Sequence, residues 1–161
     1  MVCFRSAFTA AAVTVALTLL TAPASAQAQV VTYSLAGVET AATSTEGSFV
    51  GVAISPDDVG TWAALVVHDP LDDDVPITDG AFAINGQVRD LQGVITGGEV
   101  VRLNGSCRRE TFNVTGHVVL SSGDVGDFEV TLTHYGQRVP GGGCVTFFAT
   151  VEGSITFTLT H

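Results

Sequence analysis

The sequence predicts an all-β domain, an eight- or nine-stranded antiparallel barrel with a β-sandwich as the alternative, stapled by one disulfide. Three observations predict it. Apolar residues recur at every second position through most of the chain after residue 27, the pattern of strands with one buried face. Clusters of Gly, Asp, Asn and Pro break these runs at intervals of roughly ten residues, the spacing of hairpin-linked strands. No segment of that region holds apolar residues at helical spacing for long enough to make an amphipathic helix.

The elements follow in order. Val31-Tyr33-Leu35 opens the series, and Phe49 to Ile54 follows after Gly47. Pro56-Asp57-Asp58-Val59-Gly60 punctuates the chain before Trp62-Ala64-Val66. Phe82-Ile84, Val94 to Leu103 and Phe112 to Leu120 come next, and Ser121-Ser122-Gly123-Asp124 separates them from Phe128-Val130-Leu132. In the last segment Val145, Phe147, Ala149, Val151, Ile155, Phe157 and Leu159 all fall on odd numbers. A two-residue turn at Glu152-Gly153 would switch the apolar phase to even numbers. The phase does not switch, so one long strand, bent where Gly153 lacks a side chain, is expected. Long bent strands suit a closed barrel, whose strands must tilt and coil.

The first 26 residues read as a signal peptide, and residues 27–161 as a single all-β domain. Arg5 supplies the basic start, Ala7 to Leu20 the apolar run, and Ala24-Ser25-Ala26 the small-residue cleavage site. The expected location is therefore secreted or periplasmic. Beyond the signal the chain keeps two cysteines, Cys107 and Cys144, which in an oxidising compartment pair by default. Closing that loop is worth roughly 4 kcal/mol in the chain-entropy account. Without the signal, five arginines and no lysine stand against sixteen acidic residues, a net charge of −11. That charge repels phosphate backbones and anionic lipid, so nucleic-acid and membrane-surface partners are not expected. The Ala, Gly, Val and Asp richness without lysine points to a GC-rich bacterial source.

Three segments share one template, a glycine, three apolar residues at alternate positions, and a closing histidine. They run Gly60 to His68, Gly126 to His134 and Gly153 to His161. Alternation puts His68, His134 and His161 on the apolar face at strand ends, at the rim of the core. Three imidazoles converging on a barrel mouth would make a zinc or other transition-metal site with an open position. Strand-end histidines also serve simply to pass from core to solvent. If the strands of Phe128 and Phe157 are adjacent and antiparallel, their histidines lie at opposite ends, and His68 shares an end with only one of them.

Other candidates are weaker. The acidic run Asp69-Pro70-Leu71-Asp72-Asp73-Asp74 matches no EF-hand spacing, although with Asp57 and Asp58 it would supply oxygens for calcium if the two loops were neighbours. Arg108 and Arg109 are the clustered positive charges, with Glu110 beside them to compensate. No Gly-x-Ser-x-Gly occurs and no free cysteine remains after pairing, so no catalytic residue is assigned. Gly60-Thr61-Trp62 resembles the G-x-W of lipocalins, which there opens the first strand and here starts about the third. Gly47-Ser48-Phe49-Val50-Gly51 resembles a strand of avidins, without that family's tryptophan cage. Neither carries a function across.

The expected function is a secreted, non-enzymatic barrel module that needs no cofactor and binds a small ligand in its mouth or a protein partner on its surface. The alternatives are a metal-dependent barrel enzyme using the rim histidines, and a structural extracellular or envelope component.

Overall fold

The computed structural model describes residues 27–70 and 74–160; residues 1–26, read above as a signal peptide, Leu71, Asp72 and Asp73 of the acidic run, and His161 lie outside the described residues. Eight strands follow one another: β1 Ala28–Ala42, β2 Glu46–Ser55, β3 Asp58–His68, β4 Asp74–Gly86, β5 Asp90–Ser106, β6 Arg109–Leu120, β7 Val125–Arg138 and β8 Cys144–Thr160. Each pairs antiparallel with the next, and β1 pairs with β8, so the sheet closes into an up-and-down barrel. Of the alternatives left open by the sequence, the barrel stands and the sandwich does not. Closure gives every strand a partner on both sides around the barrel wall, which there removes the free edges that are the usual liability of a β domain.

Alternation decides which side chains fill the lumen. Val31, Tyr33 and Leu35 of β1 point inward, as do Trp62 and Val66 of β3 and Phe82 and Ile84 of β4. Outward positions of β7 and β8 carry Asp127, Glu129, Glu152 and threonines.

β8 is a single strand of 17 residues running through Gly153, as its unbroken odd phase requires. Gly153 pairs with Leu35 on one side and Val130 on the other. A Cβ there would stand 2.2 Å from the Glu129 carbonyl oxygen, so the close approach of the neighbouring strand demands glycine. Val145 and Phe147 share the inward phase but are 51% and 69% exposed. β1 pairs with β8 only from Thr150 onward, so residues 144–149 pair with β7 alone; Ala149 still reaches the core, and the residues before it project past the rim, where there is no lumen to fill.

The two ends differ. Odd strands run toward one end, called the mouth here, and even strands toward the other. The opposite end is sealed by Tyr33, Ile84, Ile155 and Phe157, each 0% exposed. The Tyr33 and Phe157 rings meet edge-on at 6.4 Å. At the mouth the disulfide joins Cys107, in the β5–β6 turn, to Cys144 at the start of β8, with Cα atoms 5.4 Å apart.

Candidate functional site

Continuing the inward phase of three strands to the mouth brings three titratable side chains into the lumen. On β1 the odd phase of Tyr33 and Leu35 runs on through Gly37 to Glu39. On β3 the even phase of Trp62 and Val66 ends at His68, and on β7 that of Val130 and Leu132 ends at His134. All three strands run the same way, so these ends share one rim. His134 Nε2 lies 3.2 Å from Glu39 Oε2, the two side chains only 13% and 10% exposed. The pair links β7 to β1 on the inner side of β8, which lies between them. His134 Nε2 is buried and makes no aligned hydrogen bond; a buried polar atom left so asks for a missing partner. The Phe112 ring stands edge-on to the imidazole at 5.4 Å.

His68 is held differently. Its Nδ1 lies 2.6 Å from the Asp69 carbonyl oxygen. A carbonyl only accepts, so Nδ1 is the donor in this contact.

Below these groups the lumen is not completely filled. A cavity of about 100 Å³ sits under the rim, bounded by Glu39, Glu46, His68 and His134 above and by Phe49, Val66, Val114 and Leu132 below. Those last four also roof a second cavity of about 50 Å³, which reaches down to Leu35, Trp62 and Val151 and has a wholly apolar lining. The two cavities lie one above the other across that layer of four side chains, the lower one apolar and the upper one bordered by Glu39, Glu46, His68 and His134.

The three-histidine arrangement is brought together only in part. His68 and His134 share the mouth. Thr160, the last described residue of β8, lies at the sealed end, where its backbone N–H donates to Asp124 at 2.8 Å; His161 itself is outside the described residues. Among the described residues no group of three or more His, Cys, Asp and Glu side chains is gathered as a metal site. The fourth histidine, His117, faces Asp127 at 2.5 Å on the outer surface.

The sealed end holds a network built on Asp57 and Asp58, residues whose sequence context is that of turn punctuation. Asp58 is 4% exposed and accepts hydrogen bonds from the Tyr33 hydroxyl at 2.8 Å, Val88 N–H at 3.0 Å and Arg89 N–H at 3.1 Å. Burial is the largest single influence and pushes its carboxyl up, but the donated hydrogen bonds together outweigh it and hold Asp58 below its ordinary range. Burial, with Asp58 alongside, pushes the Tyr33 hydroxyl up. Arg89 closes the network through Asp57 at 2.8 Å, which holds the Asp57 carboxyl down. The parity of β3 was the available signal: Asp58 is in phase with Trp62 and Val66, hence inward.

The β2–β3 turn carrying Asp57 and the β3–β4 connection carrying Asp69 lie at opposite ends of β3, so the condition for a calcium site shared between them is not met. Glu110 pairs with Arg102, and Arg108 and Arg109 stand exposed at the disulfide turn. Compared with known proteins, the chain matches no family model, no curated protein and no solved structure.

Proposed function

We propose that this chain is a secreted, non-enzymatic binding module whose calyx takes a small apolar molecule with a hydrogen-donating or cationic head. The observation that carries the reading is the buried Glu39–His134 pair, with His134 Nε2 lacking a hydrogen bond, set over an apolar cavity. Ligand sites characteristically combine such an apolar body with a few convergent polar groups. Size limits the ligand. The two cavities hold about 100 and 50 Å³, and a single ring fits once the Phe49, Val66, Val114 and Leu132 layer shifts to join them, since a dry cavity of about 150 Å³ holds benzene. Charge limits the head group. Two glutamates at the mouth of a chain of formal net charge −10 favour an ammonium or hydroxyl over a carboxylate. The signal-like N terminus and the disulfide support an extracellular or periplasmic setting.

The test is calorimetric titration of the oxidised chain with benzylamine, benzyl alcohol and benzoate, three ligands alike in shape and different in charge. The expected order of affinity is benzylamine, benzyl alcohol, benzoate, with Glu39→Gln weakening benzylamine about tenfold and benzyl alcohol much less. Equal affinities, or no saturable binding of any of the three, would remove the reading.

A further inference from the structure

A separate feature lies on the outside of the barrel and goes beyond the calyx. We infer that two copies of this chain associate through the outer face of β2 to β5.

The strands themselves carry the first argument. β7 and β8 alternate apolar-in and polar-out, as strands with water on one side do. β2, β3 and β4 do not alternate. Phe49 to Ile54, Trp62 to Val67 and Ala81 to Ile84 contain no polar side chain at all, the composition of strands covered on both faces. Within one closed barrel, half of the wall is made for solvent and the other half for burial. Val50, Val52, Ile54, Leu65 and Val94 nonetheless stand between 40% and 52% exposed. Contiguous exposure of this kind marks an interaction surface.

Shape supplies the second argument. The outside of a barrel is ordinarily convex, yet this face is hollow. Ala63, Ala81 and Ala83 floor a depression of about 690 Å³ with Val50, Leu65 and Val94 standing around it. A ridge of larger side chains beside a trough of alanines is self-complementary. A twofold axis through the face sets Leu65 of each copy over the alanine floor of the other, and sheets pack in this way at a separation of about 10 Å.

Charge selects the occupant. The outward positions from Val50 to Ile54, Val59 to Val67, Ala81 to Asn85 and Gln92 to Thr96 hold no charged residue, although the chain without its signal carries sixteen acids. A basic partner would be drawn to the acidic flanks and would find nothing to pair with here. Two identical acidic molecules can meet closely only where neither brings a carboxylate to the contact. The uncharged, hollow face meets that condition for a second copy. Long-range repulsion between the two copies still opposes approach, so the dimer should tighten as salt screens it.

Sedimentation velocity of the oxidised chain, from low to high micromolar concentration, tests this independently of any calyx ligand. The expected species is a dimer whose dissociation constant falls several-fold between about 0.02 and 0.5 M NaCl, as the Debye length shortens from roughly 20 to 4 Å. Leu65→Asp and Ala83→Asp, each placing a carboxylate in the contact, should raise that constant at least about a hundredfold while the far-UV circular dichroism of a barrel is retained. Thr131→Asp, on the opposite wall, should leave it unchanged. A monomer at every concentration and salt level would overturn the inference, and so would a dimer indifferent to both Leu65→Asp and Ala83→Asp. A monomer that instead binds vesicles of neutral phosphatidylcholine would also overturn it and assign the face to lipid.

Discussion

The Tyr33 hydroxyl donates to Asp58 Oδ2 at 2.8 Å in the floor of the barrel, joining the middle of β1 to the first residue of β3. With two backbone N–H groups from the β4–β5 turn on the same carboxylate, it ties three elements across the sealed end. An apolar floor would close the barrel without fixing which turn lies where; a charged acceptor with three convergent donors does fix it.

This linkage makes stability depend on pH at both extremes. Asp58 titrates below its ordinary value in the folded chain. Its stabilisation is therefore complete above its unfolded pKa of about 3.9 and is lost as pH falls through the lower folded value. Tyr33 titrates above its ordinary value, so its contribution is complete below about pH 10 and is lost as pH rises through the raised folded value. Urea midpoints measured across pH should show both limbs. Asp58→Asn should lower stability by about 1–3 kcal/mol at neutral pH and flatten the acid limb. Tyr33→Phe should cost about 1 kcal/mol and remove the alkaline limb. Variants whose profiles parallel the native one would show the network to be inert.

Trp62 is seated by the absence of side chains opposite it. Its Nε1 donates to the Ala36 carbonyl at 3.2 Å. A Cβ on Gly51 would stand 2.0 Å from that same oxygen and 2.6 Å from Nε1. Gly51→Ala must displace either the strand pairing or the indole, and should cost about 2–3 kcal/mol. Gly97 is a control, since a Cβ there meets nothing within 4 Å. Gly97→Ala should be neutral or stabilising by a few tenths of a kcal/mol, because alanine restricts the unfolded chain. Chemical denaturation of the two variants side by side measures the contrast.

The disulfide joins residues 37 apart in sequence, both on the part of the wall that projects past the rim. Its contribution follows from loop closure in the unfolded chain and should be about 4 kcal/mol. Cys107→Ser/Cys144→Ser should therefore lose about that much and yet keep the barrel, whose hydrogen-bonded closure through β1 and β8 lies elsewhere. A double variant that does not fold would mean that the ribbon nucleates the sheet.

How far the site could be read from sequence depended on parity. Alternation identified the strands and the inward residues, and the unswitched phase around Gly153 identified β8 as one strand. The same parity carried past Leu35 places Glu39 inward, and carried back from Trp62 places Asp58 inward. Both were obscured because acidic residues beside Gly, Pro and Thr resemble turns. Which histidines share an end was not legible, because it depends on the number of antiparallel strands between them, and only a complete strand count puts β3 and β7 in the same direction. The depth of the calyx was not legible either, since it is a difference between the volume inside the wall and that of the side chains filling it. Val145 and Phe147 have the right phase for the core but stand beyond the rim, a property of register that periodicity does not contain.

Entry of a ligand into the lumen under Glu39 and His134 can be followed in the backbone amide resonances of the oxidised chain during titration with benzylamine. Saturable shifts are expected at Glu39, Gly47, His68, Leu132 and His134, with little change at Asp58, Val94 or Glu152, and they should be lost in Ala64→Val, which fills the lower cavity. Shifts confined to the outer wall, or undiminished in Ala64→Val, would contradict it.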